Sequence, residues 1–140
     1  MADATTDELE IRDLVARYAD AVNTRDEVAW GDTWTSGGVW ELMGHAFEGR
    51  EAVVATWRGA MTTFEFVFQQ VHSGFVELDG DRAIGRWAMT EIGRTSAGDP
   101  MLMLARYEDE YAREAEGWRF AKRSLQVVYR GAPDLRTSEA

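Results

Sequence analysis

One side chain in this chain stands out as able to move protons. His72 interrupts an otherwise strand-like run from Phe66 to Leu78, and it is one of only two histidines. Imidazole titrates near neutral pH, so a histidine in a concave apolar sheet can serve as acid or base; the plain alternative is a hydrogen-bonded core histidine. Glu91 lies on the next strand-like run, in the alternating set Trp87, Met89, Glu91. If that set faces inward, Glu91 sits near a pocket that Trp40 and Trp87 wall for a flat apolar or aromatic ligand; otherwise it is a solvated edge charge. The other histidine, His45, follows Gly44 in a turn and reads as exposed. Two distant histidines and no cysteine make no metal-ligand set. No glycine-rich phosphate loop, dinucleotide fingerprint or nucleophile elbow occurs, so no cofactor is expected.

The elements that must position these residues can be read from hydrophobic spacing. Ile11, Leu14, Val15, Tyr18 and Val22 recur at helical intervals, predicting a helix over about 7–23 with Thr5 and Glu8 as a capping box. Asp26 caps a second helix that carries Val28, Trp30 and Trp34, and Ser36-Gly37-Gly38 stops it. Residues 39–43 read as a short strand and 44–49 as a turn or short hairpin. Residues 51–61 form a third helix that buries Val53, Val54 and Trp57. Four long strands follow, over about 66–78, 82–93, 101–111 and 118–129, with a type I′ turn expected at Asp79-Gly80. Helices first and four antiparallel strands after them indicate an α+β fold. Strands this long twist and curl, and helices on the concave side leave a pocket between the layers. The six tryptophans, at 30, 34, 40, 57, 87 and 118, are expected mainly in the core.

Composition bounds the function classes. At 140 residues the chain is a single domain, 1–140, with 45% apolar residues and room for a core; about 132–140 reads as a loose tail. No apolar run approaches the roughly 20 residues of a membrane span. The acidic start, Met-Ala-Asp-Ala-Thr-Thr-Asp-Glu, does not read as a signal peptide, and a cytoplasmic location is expected. A net charge of −10 without a concentrated basic patch argues against nucleic acid as a partner.

Three segments carry a family likeness. The stretch Arg17 to Asp26 resembles the end of the first helix in the SnoaL-like branch of the NTF2-like superfamily. Phe47 to Val53 resembles that branch's passage from strand to helix. Tyr107-Glu108-Asp109-Glu110-Tyr111, followed by Gly117 to Arg123, resembles its last hairpin. The resemblance covers about 8–131. It implies a cone in which three N-terminal helices pack on the concave face of a curled, mostly antiparallel sheet. Within the branch the chain is similar to the group of scytalone dehydratase, bile-acid dehydratase and hexachlorocyclohexane dehydrochlorinase. The resemblance implies a base at His72, a tyrosine at Tyr18 that donates to a substrate oxygen, and a pocket arginine at Arg123. The group's histidine-orienting aspartate falls on Asn23, a departure. An amide accepts the same hydrogen bond but brings no charge to stabilise an imidazolium.

Three functions remain open at this level. One is a cofactor-independent, dehydratase-like lyase or isomerase acting on a small hydrophobic molecule, with His72 as general base, Tyr18 and Arg123 stabilising charge, and Asn23, with Glu91 as the substitute acid, orienting the ring. Trp40, Trp87, Met89, Glu91 and Tyr107 would line the substrate. Another is a binding module without chemistry that holds a ligand or pairs with a protein. A further one is polyketide-cyclase chemistry with Glu91 as the acid. A homo-oligomer, dimer or trimer, is expected through the outer face of the sheet.

Overall fold

The computed structural model describes residues 3–133, so the tail expected over 132–140 lies largely outside the described residues. Helix α1, Ala4–Thr24, is longer than the spacing predicts. Its N-cap is Asp3, whose carboxylate accepts from the Thr5 N–H at 3.3 Å, in place of the expected Thr5–Glu8 box. Ile11, Leu14, Val15, Tyr18 and Val22 are all buried, as one apolar stripe requires. The helix ends at Arg25 in the left-handed region, φ 55°. The Arg25 guanidinium then donates to the Met61 and Phe64 carbonyls at 3.1 and 2.9 Å, tying the end of α1 to the turn before the first long strand.

Helix α2, Glu27–Asp32, is capped by Asp26 as expected, the carboxylate accepting from the Ala29 N–H at 3.0 Å. Trp34 is not part of it. Strand β1 runs Trp34–Leu42 straight through the Ser36-Gly37-Gly38 segment expected to be a stop. The register is irregular between Trp34 and Val39. Gly38 is needed there because a Cβ would meet the Trp34 ring at 2.8 Å. Gly49 N–H and the Arg50 guanidinium donate to the carbonyls of Gly38 and Trp34 in this irregular stretch. Strand β2, His45–Glu48, closes a short hairpin onto β1, and helix α3 follows over Arg50–Met61.

The long strands are β3 Phe64–Asp79, β4 Arg82–Thr95, β5 Pro100–Glu114 and β6 Gly117–Gly131. The β3–β4 loop is Gly80-Asp81, with Asp79 opposite Arg82. Only Gly80 has positive φ, so the turn is not the type I′ expected. The six strands lie in the order β2-β1-β6-β5-β4-β3. Neighbours are antiparallel except β1 and β6, which run parallel. The three helices cover one face of this curled mixed sheet, and the core sits between them. Alternate residues of β4, β5 and β6 point into it, among them Trp87, Met89, Met103, Tyr107, Tyr111, Phe120 and Leu125. The opposite face is open and exposes Phe66, Phe68, Phe75, Ile84 and Ile92.

Candidate active site between the helices and the sheet

The cavity between the two layers holds about 120 Å³. Tyr18 and Val22 of α1, Trp57 of α3 and Trp40 of β1 form its walls. One row of the inner sheet face, Gln69, Glu91, Met103 and Arg130 on β3, β4, β5 and β6, forms its floor; the four are successive cross-strand partners. Aromatic packing fixes the walls. Trp30 stacks on Trp57 with centroids 4.9 Å apart and touches Trp40 at 5.1 Å.

Glu91 is the acid of this cavity. Gln69 Nε2 donates to its Oε2 at 3.0 Å. Burial raises the carboxyl above its ordinary value, against the pull of that hydrogen bond and of Arg130. Gln69 Oε1 is buried without a hydrogen-bond partner. Deeper in, the Tyr18 and Tyr107 hydroxyls lie 3.2 Å apart. One hydroxyl proton is committed between the two oxygens and the other is free to donate to a guest. Burial raises both phenols, and the Glu91 charge acts on both.

The structure separates the residues that the sequence grouped. Tyr18, Trp40, Glu91 and Tyr107 line the cavity together. His72 does not. It is exposed on the opposite face of the sheet, where its Nε2 lies 2.7 Å from Thr90 Oγ1. The physical reason is one extra residue in β3. From the hairpin, Asp79 faces Arg82 and Gly74 faces Trp87; continued without interruption, this register sets His72 against the inward Met89. Instead Val71 faces Met89, and His72 and Ser73 form a bulge. A one-residue slip exchanges faces for everything beyond it, so His72 turns out and Val67, Gln69 and Val71 turn in. Gly74 permits the crossing. A Cβ there would meet the Trp87 indole at 2.3 Å.

Asn23 has a different task from orienting an imidazole. Its Nδ2 donates to the Gln69 carbonyl at 2.9 Å, and its Oδ1 accepts from the Gln69 N–H at 2.7 Å. β3 is the sheet's edge, and the Asn23 amide supplies the pair of bonds that a further strand would make there. The β3 residue that faces the end of α1 is therefore Gln69. Sequence reasoning passed over it, although its position two residues from both Val67 and Val71 is the signal that places it on their face.

Arg123 is also corrected. It is not a cavity residue but a fully buried partner of Asp109, with Nε–Oδ1 2.7 Å and Nη2–Oδ2 3.1 Å. Its guanidinium lies 3.8 Å from the Tyr107 ring centroid and 4.4 Å from that of Tyr18, underneath the hydroxyl pair. Burial disfavours its charge most strongly, and Asp109 together with the Tyr18 and Tyr107 oxygens outweighs it and holds the group cationic. Trp87 and Met89 are core residues off the cavity lining. Trp87 Nε1 donates to Tyr111 Oη at 2.8 Å, and the Tyr111 hydroxyl donates to Asp109 at 2.6 Å. His45 is exposed in its hairpin, as expected. Among the described residues, no three His, Asp or Glu side chains gather as a metal ion requires, and no helix is long and apolar enough to cross a membrane.

Comparison with known proteins agrees with this architecture. Among solved structures, the chain is similar to Kfla4162 protein from Kribbella flavida, at 23% identity over 92% of this chain and 95% of that one, TM-score 0.85. It is similar to hexachlorocyclohexane dehydrochlorinase LinA-type3 from Novosphingobium barchaimii, at 18% identity over 94% of each chain, TM-score 0.82. It is also similar to a variant of Rv3472, a protein of unknown function from Mycobacterium tuberculosis. There the identity is 29% over 85% of this chain and 74% of that one, TM-score 0.76. A search of curated proteins finds no match. The family model of the SnoaL-like domain matches residues 3–124. With that match and the helix-covered curled sheet, the chain belongs to the SnoaL-like family of the NTF2-like superfamily.

Proposed function

We propose that the cavity takes up a small single-ring molecule bearing an oxygen function, and that Glu91, not His72, exchanges a proton with it in a cofactor-independent isomerase-type reaction. The observation that carries the reading is the part-buried Gln69–Glu91 pair in a cavity walled by Trp40, Trp57 and two tyrosines. The volume of 120 Å³ is close to the roughly 150 Å³ of an apolar cavity that takes up benzene. A carboxyl raised toward neutral pH by burial is matched to proton transfer in both directions. As the carboxylate, Glu91 takes a proton from the carbon next to a carbonyl. The free hydroxyl proton of the Tyr18–Tyr107 pair meets the oxygen on which charge develops. Glu91 then returns the proton to a different carbon, so the step is redox-neutral and balanced.

A second reading, a binding module without chemistry, is favoured by the absence of an imidazole from the lining. Two probes decide between them. Phenol titrated against tryptophan fluorescence reads occupancy beside Trp40 and Trp57. Cyclohex-3-en-1-one reads proton transfer as its conjugated isomer appears. The expected result is saturable phenol binding and an isomerisation rate that falls about 10²- to 10⁴-fold in Glu91→Gln, with phenol binding kept. An unchanged rate in that variant removes the acid/base role, phenol binding without isomerisation leaves the binding module, and no phenol binding removes the cavity reading. The exposed outer face with Phe66, Phe68, Phe75, Ile84 and Ile92 supports self-association, which light scattering after size exclusion measures.

A further inference from the structure

We infer that the cavity's ligand carries a carboxylate, seated on Arg130 at the rim. The inference rests on the cavity reading above and adds the class of molecule. Among the described residues, Arg130 is the one cation of the cavity lining. It is exposed, and among the described residues no carboxylate lies within ion-pair distance of it. That is notable in a chain with 25 acidic and 15 basic residues, where carboxylates are the commoner neighbours. The nearest acid on the same row is Glu91, two strands away across Met103. Strand spacing puts roughly 10 Å between their backbones, with the Met103 side chain as the floor between them. A single ring laid over Met103 therefore has the acid of the cavity at its inner end and the guanidinium at its outer end.

The chemistry of the two ends is complementary to a ring acid. The inner end offers the Glu91 carboxyl, held by the Gln69 Nε2 donor, to a ligand hydroxyl. The outer end offers a planar fork of N–H donors, the geometry that binds a carboxylate by two parallel bonds. A ligand with no anionic group leaves that fork in water. On a surface of net charge −10, an anion gains little elsewhere, so a cation at the opening also selects what enters.

The test is a fluorescence titration with benzoate and its neutral isostere benzamide, against the wild-type chain, Arg130→Gln and Ala60→Phe. Arg130 is exposed and Ala60 is half-buried on the rim, so both variants keep the core intact. The inference expects benzoate to bind at least tenfold more tightly than benzamide to the wild type. In Arg130→Gln that ratio falls to about one, with benzamide affinity unchanged, and in Ala60→Phe both affinities fall. Benzamide binding without a benzoate preference overturns the carboxylate and leaves the cavity reading standing. A preference that survives Arg130→Gln, or benzoate binding that survives Ala60→Phe, places the anion elsewhere and also overturns it. Failure of both probes to bind overturns this inference and the cavity reading together.

Discussion

Replacing Asp109 by asparagine removes one atom's worth of charge and leaves the shape almost unchanged, which makes it a clean test of what sits under the cavity. Asp109 and Arg123 have side-chain exposures of 0% and 1%. The carboxylate accepts two bonds from the guanidinium and one from the Tyr111 hydroxyl. Burial pushes the Asp109 carboxyl up and Arg123 pulls it back, so the charges are sustained only as a pair. In Asp109→Asn the guanidinium stays buried among Tyr18, Tyr107 and Phe120 without a counter-charge, and the new NH2 group competes with donors for the same space. Leaving a buried charge uncompensated costs about 3–5 kcal/mol. An unfolding entropy of about 2.1 cal/mol/K per residue amounts to about 0.3 kcal/mol/K over 140 residues, so Tm falls by about 10–17 °C. Calorimetry or circular dichroism melting measures it. The double variant Asp109→Leu with Arg123→Met removes both charges and recovers at least half of the loss, because an apolar replacement of a buried pair is nearly neutral. A loss under about 3 °C in Asp109→Asn, or a double variant no more stable than the single one, refutes the reasoning.

Three other expectations follow from the geometry. His72→Ala changes stability by no more than about 0.5 kcal/mol and leaves phenol binding and isomerisation unaltered, because His72 is exposed on the open face and hydrogen-bonds to Thr90 there; a rate drop above about tenfold returns the base role to it. Because burial raises Glu91, the native state holds a proton that the unfolded chain has already released above about pH 4.3. Stability therefore falls as pH rises from there through the raised value. Glu91→Gln removes that fall, and its stability relative to wild type, read from urea midpoints, increases from pH 4 to pH 8; a decrease contradicts the assignment. Asn23→Asp loses the donation to the Gln69 carbonyl and sets oxygen against oxygen, at a cost of about 1–3 kcal/mol in denaturant unfolding. A more stable or more active Asn23→Asp restores the orienting role.

What could be read before the structure, and what could not, divides along local and non-local physics. The α1 stripe from Ile11 to Val22 and the Asp26 cap are local signals, and they hold residue for residue. The α+β layering follows from the same periodicities. Trp34 and Ser36-Gly37-Gly38 look locally like a helix end and a stop because the partner that makes them a strand is β6, some eighty residues later, and the pairing is parallel. Gly37 and Gly38 favour a stop locally, whereas in the sheet Gly38 gives room to the Trp34 ring. Arg123 was assigned to the pocket by likeness to a family position, but whether an arginine reaches a ligand depends on what lies between, and here Tyr18 and Tyr107 do. Arg130 and Gln69, both on the floor, carried no motif. Arg130 is found only once the cross-strand rows are known, whereas Gln69 had a weak signal in its spacing from Val67 and Val71.

The bulge at His72 and Ser73 is the step on which the chemistry of this chain turns. A regular hairpin would have set an imidazole over Met89, inside, and turned Gln69 out. The extra residue does the opposite in one move: it turns the histidine to the open face and brings Gln69 against Glu91. Asn23 then fixes the outcome, because its two bonds to the Gln69 backbone hold that register at the edge of the sheet, where slippage is easiest. An amide suits the place, since unlike a carboxylate it offers a donor to the carbonyl and an acceptor to the N–H at once. The asparagine in place of an aspartate and the glutamine facing it are then one arrangement. Together they support the proposal of a cavity whose proton chemistry belongs to the half-buried Glu91 carboxyl, with His72 on the other face of the sheet.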